Sequence, residues 1–339
     1  MSALWLRPVA LAVLALYAAG GGLLVSAALA GETPKPDPAA EDRRRATGLA
    51  EQIEKLRPLH RKLGKPRPGD WRAGPGRNER GQTFQQYLRC RPVRPIRKRR
   101  VLYIQPLGGF TKTQRKIVEL TADFMGRYFN LPVKVRKDLP MSLIPKRARR
   151  THPSWGVNQI LSTYVLDEVL VPRLPPDAAA CIAFTATDLW PGPGWNFVFG
   201  QASLRQRVGV WSIFRNGDPE AGPAAFRLCL LRTLKTATHE TGHMFSMQHC
   251  TAYECNMCGS NHRAESDRRP LALCPECAAK VCWATRSEPI PRYRKLLAFA
   301  REQGLKEAAG TYEKSIKALG GKVSPPGPTT RRSRPRSDP

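Results

Sequence analysis

Apolar positions change period along the middle of the chain, and each change marks an element. Val101-Leu102-Tyr103-Ile104 is a continuous apolar run closed by Pro106 and Gly108, the pattern of a buried strand. From Thr113 to Phe129 the apolar residues Ile117, Leu120, Phe124, Met125 and Phe129 recur at helical spacing. Leu131 to Val135 alternates as a strand. Val157 to Val171 returns to a helical period through Ile160, Leu161, Tyr164, Val165 and Val169, and Ala180 to Thr185 reads as a strand again. This βαβαβ order predicts an α/β fold with a mostly parallel twisted sheet and helices packed against it. Phe197–Gly200 and Arg207–Trp211 flank the polar tract Gln201–Gln206 and predict a hairpin, one strand of it at the sheet edge. Pro223 suits the first turn of a further helix, with Phe226, Leu230, Leu231, Leu234 and Ala237 as its apolar stripe. Tyr293 to Leu319 predicts one or two helices that pack on the main domain through Leu296, Leu297, Phe299 and Ile316.

The ends of the chain differ from this middle. Pro8 to Ala30 carries no charge, follows Arg7, and ends in the small-x-small pattern Ala28-Leu29-Ala30. The expectation is an exported protein, secreted or periplasmic. The segment is either a cleaved signal peptide or, being long enough to span a bilayer, a retained anchor that contacts the membrane through residues 8–30. Residues 31–45 are Pro-rich and charged and read as a linker, Glu51–Leu63 as a short helix, and Pro66–Arg80 as loop. The predicted organisation is therefore 1–30 signal or anchor, 31–80 linker and N-terminal extension, 81–290 main domain, 291–322 C-terminal helices, and 323–339 a disordered basic tail.

Composition narrows the class. With 41% hydrophobic residues in 339, the chain can build a sizeable core, and its single long apolar stretch excludes a polytopic membrane protein. The net charge is +29, concentrated in runs such as Arg97-Lys98-Arg99-Arg100 and Lys146-Arg147 with Arg149-Arg150. No aromatic residues are interleaved with these runs as a base-stacking platform requires, so a solvated surface is favoured and nucleic acid is disfavoured as a partner.

The chemistry lies at the end of the helix that Pro223 opens. His239-Glu240-Thr241-Gly242-His243 places two imidazoles four residues apart, on one helix face, where both can bind one cation. Glu240, beside the first, is placed to take a proton from water. His249 follows at a spacing that suits a third ligand if the helix breaks first, and three His ligands leave a zinc position open, as catalytic sites require. Next come Cys250, Cys255, Cys274 and Cys277, two pairs able to close a tetrahedral zinc site. Two disulfides in an exported protein are the rival assignment, but the Cys274-x-x-Cys277 knuckle favours two ligands on one metal. Cys258 reads as a spare thiol or an alternative ligand. Cys181 and Cys229 read as buried apolar residues, Cys90 and Cys282 have no evident partner, and His60 and His152 carry no metal spacing. His262 lies near the motif and reads as a surface or packing residue rather than a substrate contact.

The combined pattern His239-Glu240-x-x-His243-x-x-Ser246-x-x-His249-Cys250-x₄-Cys255-x-Met257, followed by Cys274-x-x-Cys277, resembles the signature of the archaemetzincins, metzincin-clan zinc metallopeptidases. Gly259–His262, Asp267–Leu271, Gly81–Phe84, Ile104–Gly108, Asp188-Leu189 and Asn196–Gly200 also resemble family segments, so the likeness spans about residues 80–285. It implies a zincin catalytic domain with a Cys₄ zinc subdomain, and two zinc ions per chain. His239, His243 and His249 would hold the catalytic ion, Cys250, Cys255, Cys274 and Cys277 the structural one. Glu240 would be the general base, and Met257 would lie in the turn beneath the metal. The segment near Phe197–Gly200 would pair with a peptide or protein substrate, and aminopeptidase-like cleavage is the family's usual suggestion.

Ser246 departs from this pattern, because the family usually has Gly there, where the chain turns sharply toward His249. A left-handed Ser costs about 1–2 kcal/mol, small beside the roughly 10–16 kcal/mol apparent binding of a structural zinc. His249 is therefore expected still to bind, with weakened metal affinity. Two other functions remain compatible with the residues: a degenerate metzincin fold kept for binding, and a basic zinc module that binds protein, nucleic acid or an anionic polymer.

Overall fold

A capped helix opens the described part of the chain. The structure, a computed structural model, describes residues 37–95, 98–203 and 205–323. Helix α1 (Pro38–Leu56) starts behind Asp37, whose carboxylate accepts from the Ala39 amide at 2.9 Å, with Pro38 where a missing N–H costs nothing. This helix overrides the linker expected up to residue 45 and extends the short helix expected from Glu51, because Leu49, Ile53 and Leu56 form a buried stripe. The uncharged segment 8–30 and the tail beyond Val323 lie outside the described residues.

Helix α2 (Phe84–Arg89) follows, its first turn closed by a Thr83–Gln86 capping box. The predicted alternation then begins with β1 (Val101–Leu107), α3 (Lys112–Phe129) and β2 (Val133–Val135). Two short strands, β3 (Arg149–Thr151) and β4 (Asn158–Leu161), precede a helical stretch made of α4 (Ser162–Tyr164), a π-helical segment Val165–Leu170 and a 3₁₀ turn Val171–Arg173. The helix expected over Val157–Val171 is thus strand for its first turn. There Gln159 pairs with Asp188 across a small sheet and donates to its carboxylate at 2.8 Å, a tertiary contact that outweighs the local period.

Strands β5 (Ala178–Thr185), β6 (Asp188–Trp190), β7 (Gly200–Ser203) and β8 (Val208–Ser212) complete the strand set. The main sheet has the order β2-β1-β5-β8-β7, parallel except for the antiparallel edge strand β7. The hairpin lies a few residues later than expected. Gln201-Ala202-Ser203 is strand rather than turn, because an edge strand with half-exposed residues needs no apolar run. β5 is buried throughout, and its alternation feeds two cores. Ala180, Ile182 and Phe184 face the larger one, and Cys181 and Ala183 face the one covered by Val165, Val169 and Leu170.

The larger core is closed by α5 (Pro223–Met244), α7 (Pro275–Thr285), α8 (Pro289–Glu302) and α9 (Lys306–Ala318), while the short α6 (Arg263–Arg268) contributes no apolar residue to it. The C-terminal helices are docked: Tyr293, Leu296, Phe299, Tyr312 and Ile316 are all buried. No helix among the described residues is long and apolar enough to cross a membrane.

Candidate metal centre

Helix α5 carries His239, Glu240 and His243 on its last turns and then ends abruptly. The Met247 amide donates to the Gly242 carbonyl and the Ser246 amide to His243, with Ser246 at φ +64°, which is the Schellman arrangement. The left-handed turn expected at Ser246 is therefore formed without glycine. It reverses the chain so that His249 returns to the face of the two helical imidazoles.

All three rings are held by their outer nitrogens. His239 Nδ1 lies 2.7 Å from the Asn256 carbonyl, His243 Nδ1 lies 2.6 Å from the Met247 carbonyl, and His249 Nδ1 lies 2.8 Å from a Glu79 carboxylate oxygen. These acceptors require a proton on each Nδ1, which leaves each Nε2 with a bare lone pair. Burial pushes His239 and His243 down to about 4, and burial with the neighbouring imidazole pushes His249 down to about 3, so all three are neutral at ordinary pH. Yet His239 Nε2 and His243 Nε2 face each other at 3.1 Å with no proton between them. A cation removes that repulsion. Tetrahedral Zn–N bonds of roughly 2.0 Å would set the nitrogens about 3.3 Å apart.

The second cluster satisfies the same test. Cys250, Cys255, Cys274 and Cys277 bring their sulfurs together, all buried, with Cys250 Sγ 3.7 Å from Cys274 Sγ. Zn–S bonds of roughly 2.3 Å give about that separation. All nine cysteines are free thiols, so the disulfide assignment is not realised. Hydrogen bonds from Cys255 and the other neighbouring thiols hold Cys250 far below its ordinary range, and the Met257 and Cys274 amides point at Cys255 Sγ at 3.4 and 3.2 Å. Cys258 sits beside this cluster, buried, with its thiol toward the Tyr253 carbonyl at 3.2 Å.

Met257 lies under the helix. A Cβ at Gly242 would come within 2.7 Å of Met257 Sδ, so glycine lets the methionine pack against α5 between the two His residues. A cleft of 580 Å³ opens over the centre, lined by His239, Glu240, His243 and His249 together with Trp71, Trp195, Phe197 and Phe199. Burial raises the Glu240 carboxyl above its ordinary value.

Four partners were not visible in sequence spacing: Trp71, Glu79, and the backbone carbonyls of Asn256 and Met247. Trp71 and Glu79 belong to the stretch expected only to be loop. His262 also has a role, capping α6 through Nδ1 and reaching the buried Asp70 with Nε2 at 3.3 Å. Asp70, His262 and Glu265 form a third group of side chains able to ligate a metal, but Arg268 sits on Asp70 at 2.6 Å and the Trp71 and Asn261 amides donate to Glu265. Those contacts mark a strut rather than a metal site.

A helical His pair, a third His after a reversing turn and a methionine floor define a metzincin-type metallopeptidase centre. Residues 179–282 match the profile of Peptidase family M54. The chain is 32% identical to human archaemetzincin-2 over 280 residues, covering 73% of this chain and 76% of that one. It is 33% identical to mouse archaemetzincin-2 over 273 residues, covering 70% and 74%. It is also 33% identical to the archaemetzincin of Archaeoglobus fulgidus over 180 residues, covering 53% of this chain and 98% of that one. The chain belongs to the archaemetzincin family of metallopeptidases.

Proposed function

We propose that this chain hydrolyses peptide bonds using two zinc ions in separate roles. His239, His243 and His249 hold the catalytic ion, and Cys250, Cys255, Cys274 and Cys277 hold the structural one. The observation that carries this reading is the pair of Nε2 atoms facing each other at 3.1 Å, their rings fixed from behind by carbonyls that take the Nδ1 protons. When bound, zinc supplies a Lewis acid for the scissile carbonyl and makes water acidic enough to attack near neutral pH.

The remaining steps fall to protein groups. Glu240 accepts the proton of the attacking water and returns it to the leaving amine. Its raised proton affinity suits both tasks, because a base works best near the operating pH. Phe197 to Gly200 line the cleft and run into β7, the last strand of the sheet. Such an edge supports addition of an extended peptide through backbone hydrogen bonds, with Trp195, Phe197 and Phe199 offering apolar faces to its side chains.

The test is zinc content together with cleavage of a peptide library. Wild-type protein is expected to hold two zinc ions and to cleave. Glu240→Gln is expected to keep both ions and lose about 10²–10⁴-fold in rate. Cleavage by Glu240→Gln at the wild-type rate would remove Glu240 as the base. Comparing N-terminally blocked with free peptides separates endopeptidase from aminopeptidase-like action.

A further inference from the structure

The stretch from Arg67 to Arg80 lies outside the residues matched by the family profile, yet it touches the metal centre. We propose that Glu79, delivered by this N-terminal extension, is a positioning residue for His249 and sets how tightly the three-imidazole site holds its ion. The inference rests on the reading of His249 as a zinc ligand.

The three imidazoles are not supported alike. His239 and His243 stand on α5, and their Nδ1 atoms meet backbone carbonyls. His249 stands beyond the Ser246 turn, off the helix, so α5 does not set its ring orientation. Its Nδ1 meets both oxygens of the Glu79 carboxylate, at 2.8 and 3.0 Å. A carboxylate is a stronger acceptor than a carbonyl. It fixes the tautomer, turns the ring, and draws the Nδ1 proton outward, which makes Nε2 a better donor to a metal.

Glu79 is itself held. Its Oε2 accepts from Trp71 Nε1 at 3.0 Å, and its amide donates to the Gly76 carbonyl at 3.1 Å. The Trp71 indole occupies a slot between Gly76 and Gly259, where a Cβ at either position would collide with the ring. Its edge meets the His249 ring at 5.5 Å and 77°. The loop is pinned to the domain by the Trp71 amide on Glu265 at 2.9 Å and by Arg268 on Asp70 at 2.6 Å. The carboxylate is therefore a braced element of the site and not a swinging surface side chain.

The experiment measures zinc affinity at the histidine site of the full chain by chelator competition, with the thiolate site loaded. Cobalt(II) absorption at the histidine site gives a second readout. Glu79→Ala is expected to weaken affinity about 10–100-fold and to change the cobalt spectrum. Glu79→Gln keeps an acceptor oxygen without the charge and is expected to fall between Glu79→Ala and wild type; it carries the test if Glu79→Ala does not fold. Trp71→Phe removes the indole N–H that braces Glu79 but keeps the carboxylate itself, and is expected to weaken affinity less than Glu79→Ala. Wild-type affinity in both Glu79 variants overturns the inference, and so does a Trp71→Phe loss as large as that of Glu79→Ala, which would assign the effect to loop packing. A wild-type protein with metal only at the thiolates would instead overturn the metal reading itself, and this inference with it.

Discussion

The Ser246 hydroxyl accepts a 3.0 Å hydrogen bond from the Val93 amide while the Ser246 backbone stands at φ +64°. The side chain that makes the left-handed turn costly thus also ties it to the segment beside α2. Nearby, Gln82 spans the same turn, donating to the Ser246 carbonyl at 3.4 Å and accepting from the Gln248 amide at 3.3 Å. Ser246→Ala keeps the strain and loses the bond, so it is expected to cost about 0.5–1.5 kcal/mol. Ser246→Gly relieves about 1–2 kcal/mol of strain while losing the same bond, and is expected to lie within about 1 kcal/mol of wild type. Chemical denaturation of the three zinc-loaded proteins checks this. Equal stability of Ser246→Ala and wild type would mean that the Val93 bond contributes nothing.

The packing of Met257 on Gly242 makes a sharp expectation. Gly242→Ala places a methyl within 2.7 Å of Met257 Sδ, so the buried methionine side chain must shift to admit it. Overpacking of this kind costs roughly 1–3 kcal/mol. The shift is borne between His239 and His243, so zinc affinity at that site should fall together with the melting temperature. A variant that melts lower but binds zinc normally would show that the methionine floor does not brace the imidazoles.

The two metal clusters are joined by the chain itself, since His249 precedes Cys250 and the Cys250 amide donates to the Met257 carbonyl at 2.7 Å. A structural zinc supplies an apparent binding energy on the order of 10 kcal/mol. Cys274→Ser is therefore expected to lose both ions, because the turn that carries His249 and Met257 loses its anchor. His239→Ala is expected to lose one ion and keep the fold. Metal counting on the two variants decides the matter, and a Cys274→Ser protein with one tightly bound zinc would uncouple the sites.

Lys235 offers a handle on pH. It is only 5% exposed, and its Nζ donates to the Ser266 and Asp267 carbonyls at 3.1 and 3.4 Å. Burial pulls its ammonium down to about 8. Unfolding returns the group to its ordinary value near 10.5. Between about pH 8 and 10.5 the unfolded chain thus binds more protons than the folded one. Stability from this group should rise with pH across that window, by up to roughly 3 kcal/mol, and below it the charged form is held at a cost. The stability advantage of Lys235→Met over wild type is expected to shrink by that amount from pH 8 to 10.5. A difference that does not vary with pH would show that Lys235 keeps an ordinary proton affinity.

Much of the fold is legible because its signals are local. The apolar runs at Val101 and Ala180 are strands of the sheet, the second buried on both faces and the first partly covered at Val101 and Tyr103. The helical stripe from Ile117 to Phe129 likewise becomes α3 without help. The signal failed where tertiary pairing competes with period. Residues 158–161 join a small sheet through Gln159 and Asp188, and Gln201 to Ser203 form an edge strand from polar residues. It also failed at residues 38–45, where proline and charge resemble a linker but in fact cap and cover the start of α1.

The candidate metal ligands that the fold brings together were legible in the sequence, because ligand chemistry dictates residue type and a helix dictates the four-residue spacing of His239 and His243. The reversal at Ser246 follows too, since a third imidazole can return only through a left-handed residue. What surrounds the ligands came only with the tertiary structure. Glu79 and Trp71 stand far from His249 in the chain, and hydrogen-bond acceptors for imidazole carry no positional code. Their placement depends on α1 docking against α7 and on the loop after it docking against α6, a set of long-range contacts in which no single residue specifies the outcome.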